Sequence, residues 1–300
     1  MPDGVHALRD LGIDPMRIDG REFLGIRFVH GDESVEAKFR TGHGLGVERS
    51  KIHHHLVERA QELGVVLLWR SRLRCADNGR ALIEDTTVQY RWLVGADGLK
   101  SWVREHTRLP LRGKHDIRFG FRCHYRVAPW TEFVEVHWGD KEQVYVTPVA
   151  QDTVCVALVT RNAHERIEST LPRFPSLARR LACAHRVEEE RVRGAMTATG
   201  KLRSVVAGST ALVGDAAGSV DAVTGQGMHL AFRQAIHLAD AIASDNVARY
   251  AEHHIRQMRR PLLMSRLMVF LGDRVLLRTI AFRVMRFQAV FDRLLAFHVG

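Results

Sequence analysis

Cysteine is scarce in this sequence, and long uncharged runs are missing from it. The cysteines stand far apart without a Cys-x-x-Cys pair, which disfavours a disulfide framework or a zinc site; they are Cys75, Cys123, Cys155 and Cys183. The longest uncharged stretches, such as Ser204 to Gly214, fall well short of the roughly 20 apolar residues of a membrane-spanning helix. The opening residues also lack a basic and apolar leader. We therefore expect reduced thiols, no transmembrane segment and a cytoplasmic location.

Charge is plentiful but not concentrated. The chain has 44 Lys and Arg against 34 Asp and Glu, a formal net charge of +10, and no block of consecutive basic residues. This distribution favours an ordinary basic surface over a nucleic-acid partner, although it permits a polyanion-binding module. The arginine-punctuated apolar pattern from Arg256 to Arg293 is the best candidate for such a surface.

The first third of the chain predicts helices that alternate with strands. A helix is expected from Asp3 to Gly12, and a second helix from Ser50 to Gly64. The apolar run Val65–Trp69 predicts a buried strand after it. Shorter strands are expected at residues 81–83, 86–90 and 92–94.

In the middle of the chain, the sequence pattern changes from that of helices to that of β-strands. Strands are expected at residues 118–127, 133–138, 143–149 and 153–160, and their short connections predict an antiparallel sheet. A helix around residues 177–185 and a strand at 187–196 follow. A buried strand at 211–213 then precedes a helix at 227–242 and further helices, broken at Pro261 and near Gly272.

A long glycine-rich motif follows the strand at residues 211–213. It reads Gly-Asp-Ala-Ala-Gly-Ser-Val-Asp-Ala-Val-Thr-Gly-Gln-Gly-Met-His from Gly214 to His229 and opens an apolar-faced helix. Free backbone N–H groups at a helix start, with glycines removing side-chain bulk, favour an anion or an electron-rich heteroaromatic edge. The blander interpretation is that the glycines only allow a tight turn and that Asp215 caps it.

A second motif, Gly-Ala-Asp-Gly at Gly95 to Gly98, also follows an apolar strand. Taken alone, Asp97 is better interpreted as a turn or cap residue. Together, the two motifs resemble FAD-dependent oxidoreductases of the p-hydroxybenzoate hydroxylase and geranylgeranyl reductase superfamily, and Gly-Val-Glu-Arg at Gly46 to Arg49 resembles a further segment of that family. The resemblance covers nearly the entire chain.

This resemblance implies FAD as the cofactor and assigns the candidate residues. Asp215, after Gly214, is expected at the ribityl–pyrophosphate portion of FAD, and the amides of Gly225, Gln226, Gly227 and Met228 near the pyrimidine ring of the flavin. Asp97 and Gly98 are expected to approach the cofactor, and Arg49 to face the cofactor region. Ser101 and Arg104 are expected to stabilise the helix that follows.

The implied fold class is α/β, or α+β overall. It comprises an incomplete Rossmann-like FAD-binding domain (1–111 and 201–245), an inserted, mainly antiparallel β-sheet substrate domain (112–200) and a C-terminal helical region (246–300). The family begins with a strand, a Gly-x-Gly-x-x-Gly loop and a helix that hold the diphosphate, and no such segment is found here. A βαβ piece of roughly 40 residues is therefore expected to be absent. We expect its loss to expose strand edges on the neighbouring strands.

The predicted activity is hydroxylation or reduction of a small apolar organic substrate, with electrons from NAD(P)H or another donor. His229, where hydroxylases often have Asn, favours reduction. The alternative is a non-catalytic remnant that acts as a binding protein. The C-terminal helices are expected to pack on the fold, with a lipid-sized pocket or peripheral membrane contact as alternatives. Consecutive His53, His54 and His55 fan out on a helix and predict no metal site.

Overall fold

The computed structural model describes residues 1–107, 109, 111–187 and 193–299. It is a mixed α/β fold, as predicted. The helices are α1 Pro2–Asp10, α2 Arg49–Glu62, α3 Trp102–His106, α4 Ile167–Thr170, α5 Pro175–Leu181, α6 Gly227–Ala243, α7 Val247–Gly272, α8 Val275–Met285 and α9 Gln288–Val299. The strands are β1 Arg21–Phe23, β2 Gly25–His30, β3 Glu33–Lys38, β4 Gly44–Gly46, β5 Leu73–Asp77, β6 Arg80–Ile83, β7 Thr86–Gln89, β8 Leu93–Gly95, β9 Leu111–Arg126, β10 Phe133–Trp138, β11 Glu142–Pro148, β12 Thr153–Thr160, β13 His185–Arg186, β14 Arg193–Leu202, β15 Val206–Ala207 and β16 Thr210–Leu212.

The large sheet has the order β13-β9-β12-β11-β10-β2-β3, and β14 pairs with β9. Neighbouring strands of this sheet are antiparallel except for β2 and β10, which run parallel to each other. The predicted antiparallel sheet is thus confirmed. Two of its strands, β2 and β3, come from the first forty residues, where no strands are predicted.

Successive side chains along each strand point to opposite faces of this sheet, and both faces are buried. Val144, Val156 and Leu158 pack against α4 and α5 on one face. On the other face, Val136 and Trp138 pack against the C-terminal helices. The predicted packing of those helices on the fold is therefore what the structure shows.

A small sheet with the order β15-β16-β8 forms the second core. Its strand β16 is fully buried, and Leu212 packs with Leu238 of α6 and Tyr250 of α7. Within the described part of the chain, β8 has a strand partner on one side only, and Val94 on β8 is 41% exposed.

Several local predictions are wrong. Val65–Trp69 is not a strand, and Val66 and Trp69 are largely exposed, because no strand of the described chain pairs with this segment. Pro261 does not break α7. Residues 177–185 contribute only the end of α5, which stops at Leu181. In the predicted strand at 187–196, β14 begins at Arg193 and residues 188–192 lie outside the described residues.

Candidate functional site

The two sequence motifs lie side by side at the ends of neighbouring parallel strands. β8 runs parallel to β16, and the amide of Val213 donates to the carbonyl of Gly95 at 3.0 Å. The Gly95–Gly98 and Gly214–Ala217 segments therefore leave the sheet at the same edge. The carboxyl ends of parallel strands are the usual ligand-binding edge of such sheets.

The loop after β8 is built around Asp97. Its carboxylate accepts hydrogen bonds from the Ser101 hydroxyl at 2.5 Å and from the Val103 amide at 3.1 Å. Ser101 is buried and caps α3 by accepting from the Arg104 amide at 3.0 Å. The expected role of Ser101 in stabilising α3 is thus visible, and Asp97 shares this role. Gly98 adopts a φ of +78° with open space at its Cβ position.

Arg104 donates hydrogen bonds to the backbone of both loops. Its side chain is buried, and its guanidinium donates to the carbonyl of Leu99 at 2.6 Å and to the carbonyl of Ala216 at 3.1 Å. Burial lowers the pKa of this guanidinium, and the nearby Glu105 and Asp97 charges oppose that effect. The sequence predicts only that Arg104 stabilises α3. In the structure it also fixes the turn that carries Asp215.

The turn after β16 presents Asp215 at the open edge. Gly214 has a φ of +62°, which favours glycine, and its amide donates to Gln234 Oε1 of α6 at 2.7 Å. The Asp215 side chain remains accessible to solvent. The protein around it nevertheless raises its pKa above the ordinary aspartate value, and the positive charge of Arg49 opposes this rise.

Arg49 at the start of α2 is brought into the same electrostatic environment. Partial enclosure by protein and the charge of Arg122 lower its pKa, whereas Asp215 and Cys155 raise it. Arg122 and Cys155 belong to β9 and β12 of the large sheet. The charges of the predicted residues Arg49 and Asp215 are therefore close enough to influence each other, and Arg49 is also influenced by two residues that the motifs do not identify.

The Gly225–Met228 segment forms a turn into α6. A short 3-10 turn ends at Gly225, which adopts a φ of +63°. The 17-residue helix α6 then begins at Gly227. A Cβ added at Gly225 or Gly227 would meet no neighbouring atom within 4 Å, and Met228 is largely exposed. Free amides at the start of a long helix beside open space can receive an anion or a flat polar ring.

Gln226 differs from its neighbours because its side chain is buried. Its Nε2 group donates to the backbone carbonyl of His298 in α9, and His298 Nε2 donates to the carbonyl of Thr224 at 3.0 Å. Burial lowers the pKa of His298, which favours the neutral ring. The Gln226 side chain thus anchors α9, and only the backbone of this residue lies on the glycine turn itself.

A buried polar group that the sequence motifs do not identify lies behind the turn. Arg118 Nη1 lies 3.2 Å from Asp221 Oδ1, and Asp221 Oδ1 also accepts from the Val223 amide at 2.9 Å. Tyr145 donates its hydroxyl to the Val223 carbonyl at 2.9 Å, and burial raises the pKa of this phenol. The available sequence signals are an acidic residue inside the glycine-rich motif and an arginine within an apolar strand pattern.

The comparisons with known proteins agree with this geometry. A family model described as an FAD binding domain matches residues 9–248. The chain belongs to the FAD-binding domain family. The predicted superfamily is thereby confirmed.

Among the described residues, no group of three or more His, Cys, Asp and Glu is placed to hold a metal ion.

Solved structures share the fold at low sequence identity. The flavin-dependent halogenase CmlS has a TM-score of 0.75 at 17% identity, over 87% of this chain and 55% of its own, so this chain spans just over half of CmlS. The flavin-dependent brominase Bmp2 has a TM-score of 0.75 at 18% identity, over 95% of this chain and 82% of its own. PqsL, a probable FAD-dependent monooxygenase from Pseudomonas aeruginosa, has a TM-score of 0.71 at 20% identity, over 97% of this chain and 88% of its own.

The residues of the site fit part of an FAD molecule. The glycine positions leave open space beside the α6 amides, and Asp215 offers acceptor oxygens to hydroxyl groups. FAD supplies two-electron redox chemistry when bound, while the protein supplies position and electrostatics. Gly225, Gly227 and Met228 would hold the ring through their backbone, with Asp215 and Arg49 beside the polar portion.

Proposed function

We propose that this protein is an FAD-dependent oxidoreductase that acts on a small apolar organic substrate, by hydroxylation or by double-bond reduction, with NAD(P)H or another electron donor. The observation that carries the proposal is the meeting of two loops at the carboxyl ends of β8 and β16, beside the open α6 N-terminus. This is the place where a sheet of this type receives a nucleotide cofactor.

The apolar character of the proposed substrate is supported by the large sheet. On the face that reaches the glycine turn, Val136 and Trp138 pack with Val223 of that turn. Val223 lies only two residues before Gly225. These side chains are themselves covered by the C-terminal helices, so they make the surroundings of the turn apolar without lining an open pocket, and apolar surroundings favour an apolar molecule.

The first test is the visible absorption spectrum of the purified protein titrated with FAD, compared between two variants. In Gly227→Leu the new side chain enters the open space at the α6 N-terminus and meets no protein atom at its Cβ. We expect the fold to persist and flavin binding to be lost. Ala239→Leu adds comparable bulk at an exposed position on the same helix and should bind FAD like the unaltered protein.

Two further arms address the reaction. Anaerobic mixing of the flavin-loaded protein with NADH or NADPH should bleach the flavin absorption if a nicotinamide is the donor. Oxygen consumption with candidate substrates separates hydroxylation from reduction. A halide arm is included because CmlS and Bmp2, which share the fold, are a halogenase and a brominase. Failure of Gly227→Leu to alter flavin binding would place the cofactor elsewhere.

The second candidate function is a non-catalytic binding protein. The open edge of β8, with Val94 exposed, and the uncovered apolar segment around Val66 and Trp69 favour it. A protein that stays colourless with FAD, while the circular dichroism spectrum shows a folded chain, would support this candidate over the enzyme.

A further inference from the structure

The solvent-facing stripes of α7 and α8 form an apolar surface. On α7, Leu263, Leu267 and Phe270 follow one another at helical spacing and are exposed. On α8, Leu276 and Ile280 are exposed, and Leu276 is 80% accessible. These five residues define the α7–α8 surface. The opposite stripes are buried; they include Met264, and Met268, Phe282 and Met285 pack against the large sheet.

Arginines surround this surface. The exposed arginines on α7, on α8 and at their ends include Arg259, Arg266, Arg274, Arg283 and Arg286. From residue 256 to residue 293, Asp273 and Asp292 are the only acidic residues and lysine is absent. Asp273 pairs with Arg161 at 3.0 Å and Asp292 accepts from Gln288 at 2.8 Å. The arginines of the surface therefore keep a strong excess of positive charge.

We propose that the α7–α8 surface docks on an anionic lipid bilayer. Exposed aliphatic and aromatic side chains interleaved with arginines are suited to the boundary between lipid headgroups and acyl chains. Arg274 lies over the Phe270 ring at 4.0 Å, which places a charge directly above an apolar group that would enter the interface. The contact is peripheral, because no helix of the described chain is long and apolar enough to cross a membrane.

The charge pattern favours a lipid bilayer over a second copy of the chain or a nucleic acid as the partner. A second copy docked symmetrically would set the two arginine-rich surfaces against each other, which is unfavourable. A nucleic acid would pair with the arginines but leave Leu276 and Ile280 in contact with water and phosphate. A bilayer with anionic headgroups accommodates both parts of the surface. Docking of this surface on a bilayer requires no bound flavin.

The test is co-sedimentation of the purified protein with two kinds of vesicle, phosphatidylcholine alone and phosphatidylcholine with phosphatidylglycerol. We expect stronger retention on the anionic vesicles. Each removed arginine charge should weaken retention about fivefold, so Arg266→Gln/Arg283→Gln should weaken it roughly 25-fold. The matched control Arg80→Gln/Arg203→Gln removes two exposed charges elsewhere and should leave retention within about twofold, since screening limits distant charges.

The apolar contribution is tested separately. Leu276→Gln keeps the charge and should weaken retention about tenfold, because a largely exposed leucine would be buried in the interface. Val66→Gln is the matched control, because Val66 is also 80% exposed but lies after α2, and we expect no change. The proposal would be overturned if the protein were not retained on the vesicles, or if each variant and its matched control had equal effects. It would also be overturned if the arginine variant weakened retention and Leu276→Gln did not. A dimer in solution that Leu276→Gln dissociates, or binding of duplex DNA that is insensitive to Leu276→Gln, would likewise overturn it.

Discussion

Asp215 carries its charge where the surrounding protein disfavours it. Its side chain is exposed to solvent, but partial desolvation by the neighbouring protein raises its pKa, and Arg49 compensates only in part. A carboxyl whose pKa is raised in the folded state destabilises the fold once it ionises. The penalty is absent below the ordinary aspartate value of 3.8, where both states are protonated, and it grows as the pH rises through the folded-state pKa.

Replacement of Asp215 by Asn should therefore stabilise the protein at neutral pH and weaken its affinity for FAD about tenfold, because a charged hydrogen-bond acceptor is lost. Urea unfolding at pH 7 and at pH 3.5, together with a flavin titration, measures both effects. The gain in stability should vanish at the lower pH.

The matched substitution is Asp85→Asn in the exposed turn between β6 and β7. It removes a carboxylate of the same kind far from the glycine motifs. We expect no change in flavin affinity from it. A stability gain for Asp215→Asn that persists at pH 3.5 would show that the charge is not its cause.

At the scale of single elements, the sequence predicts what depends on local periodicity. The strands β10 and β12 coincide with their predicted bounds, and α6 begins at the predicted Gly227, because alternation and a helix start are local patterns. Val65–Trp69 has the composition of a strand, yet strand formation requires a partner and none is present among the described residues. Pro261 removes one backbone donor from α7, but packing of the buried stripe around Met258 and Met264 outweighs that loss.

The residues of the candidate site also fall into those that a local sequence pattern predicts and those that only the folded structure brings together. Gly214, Asp215 and the glycine turn stand in one continuous motif, so their grouping is readable from the chain. Arg122 and Cys155, which influence the charge of Arg49, come from two different strands, and the pairing of β9 with β12 brings them close to each other. Long-range pairing of this kind leaves no local pattern.

The attachment of α8 to the large sheet gives a prediction at this scale. Arg278 is almost wholly buried and donates to the carbonyls of Gly139 at 2.7 Å and Gly272 at 3.1 Å. Arg278→Met keeps much of the aliphatic stem but leaves two carbonyls without their donor. We expect a loss of about 3 kcal/mol in the free energy of unfolding, measured by urea denaturation.

Arg274→Met is the matched control for Arg278→Met. Arg274 lies one turn earlier and is exposed, and its contact is the face of Phe270. The same change there should cost less than about 1 kcal/mol. Equal costs for the two variants would mean that the buried hydrogen bonds do not hold α8 in place.

At the scale of the whole molecule, a buried ion pair joins the large sheet to the glycine turn, in addition to the hydrogen bond from Tyr145 to Val223. Arg118 on β9 contacts Asp221, which starts the turn that ends at Gly225. The guanidinium also donates to Gln143 of β11 at 3.1 Å. Asp221 is fully buried, so each charge depends on the other for compensation. This pair couples the position of the turn to the sheet that forms the proposed substrate side.

A double-mutant cycle measures that coupling. Arg118→Met leaves a buried carboxylate unpaired, and Asp221→Asn leaves a buried guanidinium unpaired, so each should cost about 3 to 5 kcal/mol of stability. Asn retains an acceptor for the Val223 amide, and the double variant contains no buried charge. We therefore expect the double variant to be more stable than the sum of the single losses predicts, by about 2 to 3 kcal/mol.

The exposed pair Arg126 and Asp152 lies on the same large sheet at 2.9 Å and provides the matched cycle, Arg126→Met with Asp152→Asn. Solvent screens this pair, so its coupling should be below about 1 kcal/mol. The flavin titration is run on both cycles. If the buried pair positions the glycine turn, the Arg118 and Asp221 variants that remain folded bind FAD more weakly, whereas the exposed pair has no effect. Additive losses with unchanged flavin affinity would show that the sheet and the turn are independent.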